Sequence, residues 1–236
     1  MNEALHTTLP GADLIVRRSS YNVLASYVLR RMSKDGDKGS SMRALRFTEA
    51  AIDSSRTEVA DVEPPTPEAG EISIDVAFAG INFADVMARR GDAGYVLAWP
   101  WIPGLEVAGT VREVGAGVTG FARGQRVAAL TSGGGFAGIS VSNAALVVGV
   151  PEVVDLSIAA AAPIAATSAW LMLNDVAHVR SGESVLMHAA SGGVGRAVAQ
   201  LAPILGARRL VGTVGTAPKA DAPRAAGWGT AIVRSP

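Results

Sequence analysis

The chain contains no cysteine in 236 residues. That excludes disulfides, thiol nucleophiles and cysteine-ligated zinc, and it fits a cytoplasmic protein. Net charge is also missing: 21 basic residues balance 21 acidic ones. A neutral chain lacks the electrostatic footprint of a nucleic-acid or anionic-membrane binder, so neither partner is expected. No apolar run approaches the roughly 20 residues of a membrane-spanning helix. Residues 159–166 are apolar but interrupted by Pro163 and read as a buried segment. No internal repeat is visible. Of the three histidines, His6 and His178 have no partner in the sequence, and His188 reads as a core residue of a buried strand.

What remains is an ordinary globular composition, 49% hydrophobic and 18% charged, long enough for one large or two small domains. The stretch 184–202 organises the second part. An apolar run at 184–190 is short enough for a strand, and the Ser191, Gly192, Gly193 turn bounds it. Beyond Gly195 the apolar residues Val198, Leu201, Ala202 and Leu205 recur at helical spacing until Gly206 ends the run. Strand, glycine turn and helix leave unpaired N–H groups at the helix start, aimed at an anion. Glycines there let a diphosphate come close, because a Cβ would stand in the way. A second strand at 210–214 completes a βαβ unit, whose handedness fixes a parallel pair.

The turn alone is a weak signal. Val198 stands where G-x-G-x-x-G wants its last glycine, and a Gly-rich turn is often only a turn. An NAD site also wants an acid roughly 20 residues past the glycines for the ribose 2′-OH. That place here holds Thr213, Gly215 and Thr216, with Lys219 just beyond and no acid. The pattern favours a 2′-phosphate, hence NADPH, unless Lys219 is only a solvated lysine.

The first part has a different texture. Residues 1–41 are expected to be a flexible extension, with Met42 as the natural beginning, although 21–32 has the composition of a short basic helix. From Met42 onward, short strands are expected at 43–47, 71–78, 107–114 and 126–130, spaced by glycine turns. A β-rich module preceding a βαβ unit implies two domains of different class. Their boundary is expected near 151–166, where Asp155 or Ser157 caps a helix. The expected division is 1–41, 42–160 and 161–236.

Four stretches stand in order: 80–91 (GINFADVMARRG), 102–115 (IPGLEVAGTVREVG), 121–127 (FARGQRV) and 188–195 (HAASGGVG). Together they resemble the zinc-free quinone oxidoreductases of the medium-chain dehydrogenase/reductase superfamily, over residues 42 to about 233. The resemblance implies an α/β-plus-β architecture. A GroES-like β-rich catalytic domain would be followed by a Rossmann domain with a doubly wound parallel sheet, and NADPH would lie in the cleft between them. It implies a reductase transferring hydride to a quinone or an α,β-unsaturated carbonyl, as in the related enoyl-reductase modules.

In zinc-dependent relatives a Cys and a His occupy the positions of Asn82 and Leu105, so the resemblance implies no metal site. A carbonyl must then be polarised by hydrogen bonds. The resemblance places Asn82, Asp85 and Tyr95 near the nicotinamide, together with Ser168 beside Thr167. Asn82 would orient the substrate carbonyl or the carboxamide, and Tyr95 would donate a hydrogen bond or proton. Asn82 and Asp85 have a second reading, as caps of the turn after the strand, and Tyr95 one as packing. Glu106 reads as a structural hydrogen-bonding group. Ser191, Gly192, Gly193, Val194 and Gly195 would hold the diphosphate, with Thr213, Gly215 and Lys219 at the adenosine ribose.

The chain also departs from the family. It stops after the third Rossmann strand, so a truncated reductase is expected, with strand 184–190 left as a sheet edge despite a sequence suited to burial. Pro223 interrupts a family helix, and Gln125 replaces the usual Asp. Homodimerisation in relatives uses strands not found here. The alternative function is an inactive remnant that binds at most a nucleotide or a partner.

Overall fold

The computed structural model describes residues 41–96 and 98–234, together with the backbone of three short strands ahead of them: β1 (Leu5–His6), β2 (Ile15–Arg18) and β3 (Tyr27–Arg30). The expectation of a flexible extension over 1–41 falls almost wholly outside the described residues. Within the stretch 21–32, Tyr27–Arg30 is extended, not helical, because it pairs antiparallel with residues 78–81. The chain divides into two compact units, with the break after Pro163.

The first unit is β-rich. Strands β4 (Met42–Phe47) and β5 (Thr57–Val62) form an antiparallel pair. The larger sheet is built on β6 (Glu71–Ile81), followed by helix α1 (Phe83–Arg90), β7 (Glu106–Val114), β8 (Arg126–Leu130), β9 (Ile139–Asn143) and β10 (Val147–Gly149). Its order is β1-β2-β3-β6-β7-β8-β10, with β9 also on β6. The core is aliphatic and aromatic, with Ile72, Ile74, Val107, Val111, Val127 and Phe47 all buried. Each such side chain contributes about 1.5–3 kcal/mol relative to exposure.

Alternation in β6 predicts polar residues on the solvent side. Ser73 departs from this: it is fully buried, and its Oγ has no hydrogen-bond partner among the described residues. In the turn ahead of β8, Gln125 Oε1 accepts the Ala122 N–H at 3.0 Å. Helix α2 (Leu156–Ala159) is capped by Asp155, whose Oδ1 accepts the Ser157 N–H at 2.7 Å.

The second unit opens with α3 (Pro163–Trp170) and a π-helical turn at Leu171–Val176. Strand β11 (Ser184–Met187) leads through the glycine turn into α4 (Gly193–Ile204), then β12 (Arg209–Val214), α5 (Asp221–Ala225) and β13 (Thr230–Val233). The three strands are parallel in the order β11-β12-β13. Gly206, at φ +87°, takes the left-handed position that ends α4.

Strand β11 is shorter than expected and lies at the edge of the three-stranded sheet. Leu186 is 63% exposed. His188 falls after the strand and is also exposed, which corrects its reading as a core residue. The reason is topological: β11 has a hydrogen-bonded neighbour on only one side, β12. No helix among the described residues is long and apolar enough to cross a membrane.

Candidate functional site

The first cluster forms where β6 turns into α1. Asn82 is the N-cap of α1, and its backbone N–H donates to Asp85 Oδ2 at 2.8 Å, as in a capping box. The other carboxylate oxygen of Asp85 accepts the Gly104 N–H at 3.0 Å. Asp85 is almost fully buried, and burial pushes its carboxyl above the ordinary carboxylate range, against the lowering pull of those two N–H groups. It thus ties the start of α1 to the glycine turn ahead of β7.

Asn82 makes a second tether. Its Nδ2 donates to Glu106 Oε1 at 2.9 Å, and Glu106 is buried at the start of β7. Gly80 makes room for this: a Cβ there would lie 2.6 Å from Glu106 Cδ. The amide nitrogen is the donor in this pair, so Asn82 turns its NH2 toward Glu106. This pair was not visible as a contact in the sequence, since the partners stand 24 positions apart.

Tyr95 lies beyond α1 in a turn, 39% exposed, with its backbone N–H directed at the Asp92 carbonyl. Leu105 is a half-buried aliphatic side chain and offers no metal ligand. Among the described residues no group of three or more His, Asp or Glu side chains is placed to hold a metal ion. Ser168 belongs to the second unit, half-buried on α3.

The second cluster is the turn from β11 into α4. Gly192 is the extended N-cap residue, and the Arg196 N–H closes the first helical bond onto its carbonyl at 3.0 Å. The N–H groups of Gly193, Val194 and Gly195 therefore start the helix without intrahelical partners. Gly192 and Gly193 are exposed, and a Cβ at Gly193 would meet nothing nearer than Ala165 Cβ at 3.8 Å. Gly195 is the opposite case: buried, with a Cβ position 2.6 Å from Ala190 Cα. Gly193 leaves open space over the turn, Gly192 lets the chain lie close to the Ala189 carbonyl (a Cβ would come within 3.3 Å), and Gly195 lets helix and strand pack closely. Ser191 is half-buried beside them.

At the ends of the strands, Thr213 is buried and its Oγ1 lies 2.9 Å from His188 Nδ1, so the hydroxyl is already engaged. Gly215 and Lys219 are exposed beyond β12. Sequence reasoning missed His188 at this place because it assigned the residue to a strand that ends one position earlier.

Residues 68–152 match the family model of the alcohol dehydrogenase GroES-like domain. The chain is 38% identical over 152 residues to the human synaptic vesicle membrane protein VAT-1 homolog-like, covering 64% of this chain and 36% of that protein. It is 36% identical over 176 residues to the quinone oxidoreductase of Rattus norvegicus, covering 74% and 53%. The crystal structure of Escherichia coli quinone oxidoreductase complexed with NADPH superposes with a TM-score of 0.75 at 30% identity, covering 80% of this chain and 58% of that one. The chain thus spans about a third to three fifths of the length of these relatives. A GroES-like β unit and a parallel Rossmann-type unit, matched in this order, define the class: the chain belongs to the medium-chain dehydrogenase/reductase superfamily. Within that superfamily it is quinone-oxidoreductase-like.

Proposed function

We propose that this chain carries the activity of an NADPH-dependent reductase that transfers hydride to a quinone or an α,β-unsaturated carbonyl without a zinc ion. The observation that carries the reading is the turn Ser191–Gly195. Gly193 is exposed and leaves open space over the turn, three helix-start N–H groups lack intrahelical partners, and a twelve-residue helix stands behind them. These features fit a dinucleotide diphosphate, and the quinone oxidoreductase of Escherichia coli was crystallised with NADPH. Ser191, Gly192, Gly193, Val194 and Gly195 would hold the diphosphate, with Gly215 and Lys219 at the adenosine ribose. Thr213 would act indirectly, since its hydroxyl holds the His188 ring. Bound NADPH would supply the hydride.

The residues themselves support a division of labour. Asp85 spends both oxygens on backbone N–H groups and is nearly inaccessible, so its role is to position the α1 start and not to exchange protons with substrate. Asn82, oriented by Glu106, keeps its second amide N–H for a ligand oxygen. Tyr95 is exposed enough to donate a hydrogen bond or a proton to a carbonyl oxygen. Ser168 would add a hydroxyl donor. The zinc-free reading rests on chemistry: Asn82 and Leu105 stand where ligands would be needed, and neither side chain binds zinc usefully.

The deciding experiment is NADPH titration of the purified polypeptide by nicotinamide fluorescence, followed by turnover with 1,4-benzoquinone. Saturable binding and NADPH oxidation dependent on the quinone are expected, unchanged by chelator. Binding without turnover would leave a nucleotide-binding protein, and absence of binding would remove the reading altogether.

A further inference from the structure

We infer that strand β3, which lies ahead of Met42, positions the Asn82 amide and so forms part of the site on the β unit, a step that rests on the reductase reading above for its effect on turnover but not for its geometry. Strand β6 has two edges. On one, β7 pairs with it from Ile72 to Ala79, and on the other, β9 pairs from Glu71 to Asp75. Neither register reaches Gly80 or Ile81. Among the described residues the strand paired with those two is β3, with Val28 opposite Gly80 and Tyr27 opposite Ile81. Asn82 follows directly as the cap of α1, so the last residues before it take their place from β3.

Two features make this support necessary. Glycine weakens a strand interior, because its backbone is free and it has no side chain to pack. Position 80 nonetheless requires glycine: a Cβ there would lie 2.6 Å from both Glu106 Cδ and the Ala160 carbonyl oxygen. The strand is therefore weakest where the carboxylate that holds Asn82 comes closest. Asn82 itself has two tethers, Nδ2 to Glu106 at 2.9 Å and the backbone N–H to Asp85 at 2.8 Å. Hydrogen bonds weaken steeply outside a narrow range of length and angle, so a shift of the strand end moves the amide and the second N–H that it offers a ligand. Strand β3 is braced in turn. Strand β2 pairs with it from Val16 opposite Leu29 to Arg18 opposite Tyr27, and β1 pairs with β2. Such a ladder gives β3 a hold that a lone strand lacks.

The test uses two double variants of the whole chain. Successive N–H groups of a strand point to opposite neighbours, so Val28→Pro with Leu29→Pro removes a ladder donor toward β6 whichever residue supplies it. Val28→Thr with Leu29→Thr keeps both N–H groups and serves as the control. Amide hydrogen exchange, the NMR signals of the Asn82 side-chain NH2, NADPH affinity and turnover with 1,4-benzoquinone are measured in each. In the proline variant the Gly80 or Ile81 amide is expected to exchange about tenfold faster or more, while Val127 on β8 and Val211 on β12 keep their protection. The Asn82 signals should move. The kcat should fall by about tenfold to a hundredfold, with the NADPH dissociation constant held within about twofold. The threonine variant should match wild type throughout. Unchanged exchange at Gly80 and Ile81 with unmoved Asn82 signals overturns the inference. Protection lost at Val127 as well also overturns it, because β3 would then hold up the whole unit and not place one side chain. Moved Asn82 signals with wild-type turnover overturn the place of β3 in the site. Wild type that neither binds NADPH nor reduces the quinone removes the reductase reading alone, and exchange and NMR still decide whether β3 places Asn82.

Discussion

The indole N–H of Trp228 donates to the carbonyl oxygen of Gly195 across 3.2 Å, joining the segment ahead of β13 to the first turn of α4. Trp228 is 2% exposed, and a Cβ on Gly212 would lie 3.2 Å from its Cδ2. One side chain thus braces both the glycine turn and the middle of β12. Trp228→Phe keeps an aromatic ring but loses the donor and leaves a void. The expected cost is about 2 kcal/mol, from the hydrogen bond and the cavity together. Urea denaturation followed by far-UV circular dichroism checks it, and a loss below about 0.5 kcal/mol would show that the brace is dispensable.

The glycines of the turn should separate folding from binding. Gly193 faces open space, so Gly193→Val is expected to leave the denaturation midpoint nearly unchanged while abolishing NADPH binding. Gly195 packs on Ala190, so Gly195→Ala forces backbone apart and should cost about 1–3 kcal/mol. Parallel unfolding curves and fluorescence titrations of the two variants test the distinction. Wild-type affinity in Gly193→Val would place the cofactor elsewhere.

Asp85 should show an inverted pH dependence. Its folded pKa is raised above the ordinary 3.8 by burial, so the native state binds a proton before the unfolded chain does. Ionisation of this group therefore costs stability as pH rises through the folded value, and acidification toward 3.8 relieves that cost. Asp85→Asn removes the titration, but its amide turns a donor against either the Asn82 or the Gly104 N–H. At neutral pH the variant should lose about 1–3 kcal/mol. The wild-type advantage should then widen as pH falls toward 3.8. Denaturation midpoints across a pH series would reject this if the gap closed instead.

Strand β11 presents Leu186 to solvent on a sheet edge. A lysine at such a position disfavours edge-to-edge pairing. Leu186→Lys is expected to lower light scattering in concentrated solution and to change stability by less than about 0.5 kcal/mol. A larger destabilisation would mean that the side chain is covered in solution.

Local patterns made the second unit legible. Apolar spacing at 198–205, ended by Gly206, marked α4, and short apolar runs marked β11 and β12. In the first unit the strands β4, β6, β7 and β8 were legible for the same reason. Strands β5, β9 and β10 were not: β5 is half-exposed and carries Glu58 and Asp61, β9 has Ser140, Ser142 and Asn143 among its five residues, and β10 is only three residues long. Helix α1 was hidden too. Asn82 and Asp85 announced a cap, but eight residues with two adjacent arginines carry little periodic signal.

By itself the sequence determined the residue chemistry: no thiol, no net charge, a glycine turn ahead of an amphipathic helix, and no acid after the second strand. These depend only on residue type and short spacing, which the backbone reads locally. Tertiary structure alone decided which groups remain available for chemistry. It consumed both oxygens of Asp85, turned the Asn82 amide by means of Glu106, and engaged Thr213 with His188. Each of these depends on contacts between distant positions, and a buried hydrogen-bonding group takes its role from the partner that folding gives it.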